Sequence, residues 1–186
     1  IKRISLDIEV DSNVGRIPDP KAAEKKVTAI GFESSDGLKH ILVLRHGNTE
    51  EGINDLSPDI KITFYDDDKE KNMILDAFKI VQQYPLLITY NGDGFDLPYL
   101  YNRAEKLGIG KENNPFYMMR DSATLRKGVH LDLYRTMSNR AFQIYAFGQK
   151  YNDFSLNSVS IGLLNEKKID YGMDIGDLTL YQTAKY

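Results

Sequence analysis

The sequence has 186 residues, of which 41% are hydrophobic and 27% are charged, and its formal net charge is −3. This composition is that of an ordinary globular domain with one sizeable core, while the absence of cysteine excludes disulfides and thiolate zinc sites, and no apolar run approaches the roughly 20 residues that span a bilayer. The acidic balance argues against a broad basic face for nucleic acid, so any such contact must be local, metal-assisted or shared with other parts of a larger protein.

The first predicted element is a strand that carries two acidic residues. Residues 1–10 alternate in polarity, and the apolar positions of one face are Ile4, Leu6, Ile8 and Val10. Asp7 and Glu9 therefore project together from the other face. Neighbouring carboxylates repel, and their burial costs several kcal/mol unless they are paired or metal-bound. They are either solvated residues of an edge strand or ligands of a metal ion.

The next elements are predicted from turns and periodicity. Residues 26–46 indicate two strands around a turn at Ser34–Gly37, and residues 60–66 indicate a further short strand. Residues 66–84 have helical spacing with acids in the first turn. The apolar residues 85–91 predict a short central strand.

A glycine-rich turn follows that strand and carries two more aspartates. Asp93 lies between Gly92 and Gly94, which suits a tight turn, and Asp96 opens a helix that runs to Leu107. Asp96 is either the cap of this helix or a metal ligand.

The second half of the chain is predicted to contain mainly helices. Residues 110–128 are polar and irregular, residues 130–137 lead into a helix, a loop and helix cover 145–164, and a last helix opens at Asp177. Antiparallel strands followed by a strand that alternates with helices predict an α/β three-layer domain with a mixed central sheet.

Several other polar residues are expected to have structural or surface positions. We expect Asp132 to be a structural hydrogen-bonding residue, and His40 and His46 to lie on the surface of the hairpin. The charged run that ends in Lys167 and Lys168 is expected to be solvated and to have no specific role.

The order of these segments carries a family resemblance. The run DIE at residues 7–9, then NGDGFDLPYLYNRAEKLG, HLDLYR and YNDFSLNSVSIGLLNEKKIDY, resembles the proofreading 3′–5′ exonuclease domain, of DEDDy type, of archaeal family B DNA polymerases. The resemblance covers nearly the whole chain. It implies a ribonuclease H-like fold and hydrolysis of the 3′-terminal phosphodiester of DNA.

The chain contains only the tyrosine of the family's last motif, Y-x-x-x-D. Tyr181 is followed four residues later by Lys185, which cannot serve, whereas Tyr186 is the final residue. Because LTLYQTAKY resembles the run into this motif, we take Tyr186 as its tyrosine. We therefore expect residues 1–186 to be a single exonuclease domain, a fragment of a longer DNA polymerase truncated within the last helix, with slow hydrolysis for lack of the fourth carboxylate.

The resemblance also implies roles for site residues and a cofactor. Asp7 would bridge two Mg²⁺ or Mn²⁺ ions, Glu9 would join the ion that activates water, and Asp96 would hold the second ion directly or through water. The hydroxyl of Tyr186 would orient the attacking water. Asn91 and Phe95 would contact the frayed 3′ terminus, although Phe95 is equally well explained as a core residue.

The partners implied are the single-stranded 3′ end of a primer, the remainder of the polymerase chain and, through that parent, a sliding clamp, with no membrane. The expected location is the cytoplasm, at the nucleoid. Two alternatives remain: a catalytically silent DNA-binding scaffold, which the presence of Asp7, Glu9 and Asp96 disfavours, and a stand-alone DEDD exonuclease acting on RNA, which the HLDLY and YNDFSLNSVS segments disfavour.

Overall fold

The computed structural model describes residues 1–11, 17–120, 122–173 and 175–186. Its strands are β1 (Arg3–Val10), β2 (Val27–Ser34), β3 (Lys39–Leu44), β4 (Lys61–Tyr65), β5 (Leu86–Thr89), β6 (Phe116–Met118), β7 (Ala123–Leu125) and β8 (Val129–Asp132). Its α-helices are α1 (Glu70–Val81), α2 (Asp96–Lys106), α3 (Leu133–Met137), α4 (Leu156–Leu164) and α5 (Leu180–Lys185). Within these ranges, none of the helices has the length and apolar character needed to cross a bilayer.

A six-stranded mixed sheet forms the centre of the fold. Its strand order is β4-β3-β2-β1-β5-β8, and β6 pairs with β7 in a separate hairpin. The strand β2 is antiparallel to both of its neighbours, whereas β1, β5 and β8 pair in parallel. The carboxyl ends of β1, β5 and β8 therefore meet at one edge, where ligand sites of such sheets commonly lie.

The alternation of polar and apolar residues along β1 gives this strand one polar and one apolar face. Ile4, Leu6, Ile8 and Val10 are each at most 5% exposed and belong to one core cluster with the apolar faces of α1 and α2. Met73, Ile74 and Phe78 supply the α1 side of that cluster. Burial of this apolar stripe, at the helical spacing expected from the sequence, stabilises the first two layers of the domain.

The remaining helices cover the other face of the sheet. A cleft of about 450 Å³ on this side is lined by Ser5 and Asp7 of β1 and by residues of α3, α4 and α5. Leu133, Leu156 and Ala184 are the lining residues from those three helices. The domain is therefore a mixed α/β three-layer structure of the ribonuclease H-like type, as predicted, and the acids of β1 face its second helical layer.

A buried ion pair joins α1 to α2. The guanidinium of Arg103 donates to both carboxylate oxygens of Glu70, from Nε at 2.8 Å and from Nη2 at 2.7 Å. Its Nη1 also donates to the carbonyls of Ala23 and Glu24, and Glu70 accepts a bond from the N–H of Val27. One charged pair thus connects two helices and the segment that leads into β2.

Three local predictions need correction. Residues 130–132 belong to the edge strand β8, because parallel pairing with β5 supplies backbone hydrogen bonds before α3 begins. The segment expected to be irregular contains the β6–β7 hairpin. His40 is only 8% exposed, since its Nε2 bonds to the hydroxyl of Thr63 across the β3–β4 pair.

Candidate active site

Asp7 and Glu9 lie on an interior strand. Because β1 is flanked by β2 and β5, the alternative of a solvated edge strand is wrong. Asp7 remains exposed and Glu9 is half-buried, and the register between β1 and β2 shifts between Glu9 and Val10. Such an irregularity changes the local twist of a strand and the direction of its side chains. The sheet thus presents two adjacent carboxylates near the carboxyl end of its central strand.

Asp96 joins these acids from the helix α2. It is the first residue of α2 and is 4% exposed, and the N-cap position is occupied by Phe95. Its Oδ1 accepts a hydrogen bond from the backbone N–H of Ile8, 3.2 Å away in β1. Asp96 is therefore not simply a helix cap, because its carboxylate reaches across to the strand that carries Asp7 and Glu9.

The three carboxyl groups hold their protons unusually strongly. Burial, followed by repulsion from Asp7, raises the pKa of Asp96 to about 8. Burial and the charge of Asp7 raise the pKa of Glu9 to about 7. Asp7 keeps an open surface at the floor of the cleft, but the protein around its carboxylate displaces bulk water and raises its pKa, against the lowering effects of Lys168 and the N–H of Ile8. The cluster is therefore short of positive charge.

These shifts predict a pH dependence of stability. Between pH values of about 4 and about 8 the folded chain binds more protons at Asp96 than the unfolded chain does, so its free energy of unfolding falls as pH rises. We expect the midpoint of urea unfolding, measured without divalent cations, to decrease from pH 5 to pH 8.

The variant Asp96→Asn should show a flatter profile over this range. Asp153→Asn is the matched control, because hydrogen bonds from Ser155 lower the pKa of Asp153 and keep it ionised throughout. A wild-type midpoint that rises towards pH 8 would contradict the raised pKa of Asp96.

The turn between β5 and α2 is fixed by a structural aspartate. Asp132 is 5% exposed and accepts backbone hydrogen bonds from Asn91 at 2.8 Å, Asp93 at 3.0 Å and Tyr134 at 3.0 Å. Asn91 has a left-handed backbone with φ of 63°, and a Cβ on Gly92 would lie 2.2 Å from the hydroxyl oxygen of Thr89. The expected structural role of Asp132 therefore agrees with these contacts.

Replacement of Asp132 should loosen this turn. Asp132→Ala leaves three buried or half-buried N–H groups without their acceptor, and we expect the free energy of unfolding to fall by about 2–3 kcal/mol in urea titrations. Asp132→Asn keeps an oxygen for Asn91 and Tyr134 and should lose about half as much. Equal stability of wild type and Asp132→Ala would show that the turn does not depend on this carboxylate.

Asp93 and His130 also have structural partners. Asp93 accepts bonds from the N–H of Ala123 at 2.7 Å and pairs with Arg135 at 2.6 Å. Nδ1 of His130 lies 3.0 Å from the carbonyl of Ala123, which fixes it as the donor, and Nε2 then accepts from the hydroxyl of Thr89. Asp93 thus holds the glycine-rich turn against β7 and α3.

Tyr186 lies at the same cleft as Asp7. Its ring is covered by the ammonium of Lys168, which is 3.7 Å from the ring centroid and which lowers the pKa of both Asp7 and Glu9. The backbone N–H of Lys168 donates to the side chain of Asn157 in α4. The expectation that its charged run has no specific role is therefore wrong for Lys168, which no pattern in the sequence distinguishes from its neighbours.

The two predicted substrate-binding residues occupy different surroundings. Asn91 is exposed and lines an open cavity of about 490 Å³ with Tyr90, Tyr134 and the loop 153–156. Phe95 is half-buried, packs against the core and stacks at a tilt on Tyr99, with 5.5 Å between ring centroids. The core alternative for Phe95 has direct contacts in its favour, whereas Asn91 lines a cavity that shares Tyr90 and Leu156 with the cleft of Asp7.

Comparison with known proteins places this arrangement in a family. The model of the family "DNA polymerase family B, exonuclease domain" matches residues 1–159. The chain belongs to the exonuclease domain family of family B DNA polymerases. The predicted family and fold are therefore confirmed. Exonuclease domains of this family generally depend on divalent metal ions.

The similar proteins are archaeal polymerases. The chain is 37% identical to DNA polymerase 1 of Aeropyrum pernix over 98% of its length, 38% identical to DNA polymerase 1 of Sulfolobus acidocaldarius over 100%, and 39% identical to DNA polymerase 1 of Saccharolobus solfataricus over 100%. It covers 19%, 21% and 21% of these relatives, so it spans about a fifth of their length.

The carboxylates of this exonuclease domain suit a hard cation by their chemistry. Oxygen ligands are those that Mg²⁺ and Mn²⁺ prefer, and a bound cation would relieve the repulsion that raises the pKa values of Glu9 and Asp96. In the described ranges, no group of three or more histidine, aspartate or glutamate side chains lies close enough together to hold a metal ion by itself. The three carboxylates therefore match a hard cation in ligand chemistry, and water or substrate oxygens would have to complete its coordination.

Proposed function

We propose that this chain is the 3′–5′ proofreading exonuclease domain of a DNA-directed DNA polymerase and removes nucleotides from the 3′ end of DNA. The observation that carries the proposal is the grouping of Asp7, Glu9 and Asp96 within a family B exonuclease domain, where Asp96 is hydrogen-bonded to the strand that carries the other two. Burial and the charge of Asp7 raise the pKa values of Glu9 and Asp96, and a bound cation would offset both effects.

The proposed cofactor is a pair of Mg²⁺ or Mn²⁺ ions held by Asp7, Glu9 and Asp96. When bound, the ions would lower the pKa of a water molecule and offset charge on the phosphate. The hydrogen bond from Ile8 holds the Asp96 carboxylate against β1, so its oxygens keep a fixed position relative to Asp7. Tyr186 would orient the attacking water through its hydroxyl, because it lines the cleft that holds Asp7.

The proposed substrate is a single-stranded 3′ end. The open cavity beside Asn91 has the aromatic side chains of Tyr90 and Tyr134 in its lining, and single-stranded bases stack on such rings. The amide of Asn91 would hydrogen-bond to the terminal nucleotide. Phe95 would contribute from beneath by fixing the turn, and direct contact of its ring with the nucleotide remains a prediction.

We propose that the rest of the polymerase chain supplies the other contacts. The chain would then be a single domain, residues 1–186, of a longer polypeptide that provides a fourth carboxylate, the polymerising site and the contact with a sliding clamp. Such an enzyme would work in the cytoplasm at the nucleoid. The fragment alone should hydrolyse DNA slowly, because the family motif that begins at Tyr186 is incomplete within it.

The test is an exonuclease assay on a 5′-labelled single-stranded oligonucleotide with Mg²⁺, Mn²⁺ or a chelator. The 186-residue chain is compared with a version extended by about ten residues of the parent sequence, which adds roughly three helical turns. Metal-dependent shortening from the 3′ end, faster in the extended form, supports the proposal. If the extended form is folded but inert, the silent scaffold becomes the better description; preferential cleavage of RNA would favour the RNA-acting exonuclease.

A further inference from the structure

A second surface of the chain combines exposed aromatic rings with positive charge. The segment Arg140–Lys150, which we call the aromatic-basic segment, contains a π-helical turn at Phe142–Ala146. On this turn Tyr145 is 87% exposed and Phe142 is 47% exposed. Large aromatic side chains are seldom left in water without a partner, and π-helical turns are frequent at functional sites.

The charged residues near these rings in the sequence are all basic. Residues 133–152 include Arg135, Arg140 and Lys150 and no aspartate or glutamate, although the whole chain has a net charge of −3. Arg135 pairs with Asp93, whereas Arg140 and Lys150 are exposed and form no ion pair with any residue that the structure describes. The segment is therefore a local positive region on an acidic protein.

Buried contacts hold the rings outward. Gln143 is 7% exposed, and its side-chain amide donates to the carbonyl of Tyr151 at 2.8 Å. Tyr151 is 2% exposed, donates to the carbonyl of Met137, and packs against Phe147 with 6.1 Å between ring centroids. Because its inner residues are fixed, the turn presents Phe142 and Tyr145 without a large loss of conformational entropy on binding.

The segment is continuous with the proposed active site. The ring of Tyr151 contacts that of Phe154, and the carbonyl of Phe154 accepts a hydrogen bond from Tyr90. Tyr90 and Phe154 both line the cavity that contains Asn91. The buried Tyr151 thus joins the wall of that cavity to the π-helical turn from inside, and a strand whose 3′ end lies at Asn91 would continue over this surface towards the turn.

We propose that the aromatic-basic segment binds single-stranded DNA a few nucleotides upstream of the 3′ end. This inference rests on the proposed function and names a further contact surface for the same substrate. Bases would stack on Tyr145 and Phe142, and Arg140 and Lys150 would contact phosphates, which is the usual combination in single-strand binding. Tyrosine, phenylalanine and arginine are also common in protein interfaces, but the contacts that join this segment to the cavity at Asn91 favour the DNA strand.

The experiment measures fluorescence anisotropy of labelled single strands of about four and about twelve nucleotides, lengths that bracket common single-strand sites. The 186-residue chain is titrated in a chelator, so that no cleavage occurs. The longer strand should bind more tightly, Tyr145→Ala should weaken its binding by about tenfold, and Tyr145→Phe should retain it because the ring remains. Binding of the shorter strand should change little in both variants.

Charge variants supply the second readout. Arg140→Gln and Lys150→Gln should each reduce the slope of log affinity against log salt by about 0.7, the value for one phosphate contact on a single strand. Lys61→Gln on β4, at the opposite edge of the sheet, is the matched control and should leave the slope unchanged.

If Tyr145→Ala binds the longer strand with unchanged affinity, the inference is overturned. The surface would then be better explained as a contact with another part of the polymerase. An equal loss for both lengths would also overturn the inference, because the effect would then lie at the 3′ end. The result is separable from the proposed function: cleavage that depends on Asp7 can persist when this surface binds no DNA, whereas a chain that neither binds nor cleaves fails in both respects.

Discussion

Replacing Asp7 by alanine is expected to reduce the rate of 3′-end hydrolysis by a factor of about 10³, the upper range for loss of one group that stabilises transition-state charge. The Asp7 carboxylate lines the same cleft as Tyr186, and its charge helps to raise the pKa values of Glu9 and Asp96, so it belongs to one cluster with these acids. The assay is shortening of a 5′-labelled oligonucleotide by the extended chain with saturating Mn²⁺.

Unlike the rate of hydrolysis, the stability of the metal-free chain should not fall when Asp7 is replaced by alanine. Removal of Asp7 relieves repulsion on Asp96 and Glu9, so the metal-free variant should be at least as resistant to urea at pH 8 as the wild type. Asp68→Asn, at an exposed position before α1 and away from both cavities, is the activity control. An Asp7→Ala variant that cleaves at the wild-type rate would remove Asp7 from the proposed metal ligands.

The second large effect concerns the Glu70–Arg103 pair. Arg103→Met is expected to lower the free energy of unfolding by about 3–5 kcal/mol, because the carboxylate of Glu70 stays buried without its partner. For a chain of this size the loss should lower Tm by roughly 10 °C. Urea titration and thermal unfolding measure both quantities.

Two controls separate pairing from packing. Lys39→Met breaks an exposed ion pair with Asp59 and should cost less than about 1 kcal/mol. The double variant Glu70→Met with Arg103→Met removes both charges and should recover much of the loss, since apolar side chains often replace a buried pair without penalty. A double variant less stable than Arg103→Met would mean that the hydrogen bond of Glu70 to the N–H of Val27 outweighs the cost of its unpaired buried charge.

The acids of the site could be found from the sequence because strand periodicity is strict. The alternation from Ile4 to Val10 predicts that Asp7 and Glu9 share a face, and the structure puts them there. The position of Asp96 follows from the apolar strand that precedes it and the helix that it opens. These patterns are local, so a single sequence contains them.

Features that depend on distant pairing could not be predicted in this way. The strand β8 has exposed Val129 and Leu131, so its burial pattern does not distinguish it from the start of a helix, and only pairing with β5 defines it. The position of Lys168 beside the acids depends on Asn157 of α4, which accepts a hydrogen bond from its backbone. His40 is buried and bonds to Thr63 of the neighbouring strand, a contact across 23 residues.

The location of Asp7 and Glu9 on β1 has a consequence for hydrogen exchange. Ile4 and Ser5 are paired with both β2 and β5, and the strand continues through Asp7 and Glu9 paired with β2, so its amides should exchange only through extensive opening of the sheet. We therefore expect β1 to be among the slowly exchanging parts of the domain, which keeps the two carboxylates in place while other segments open locally.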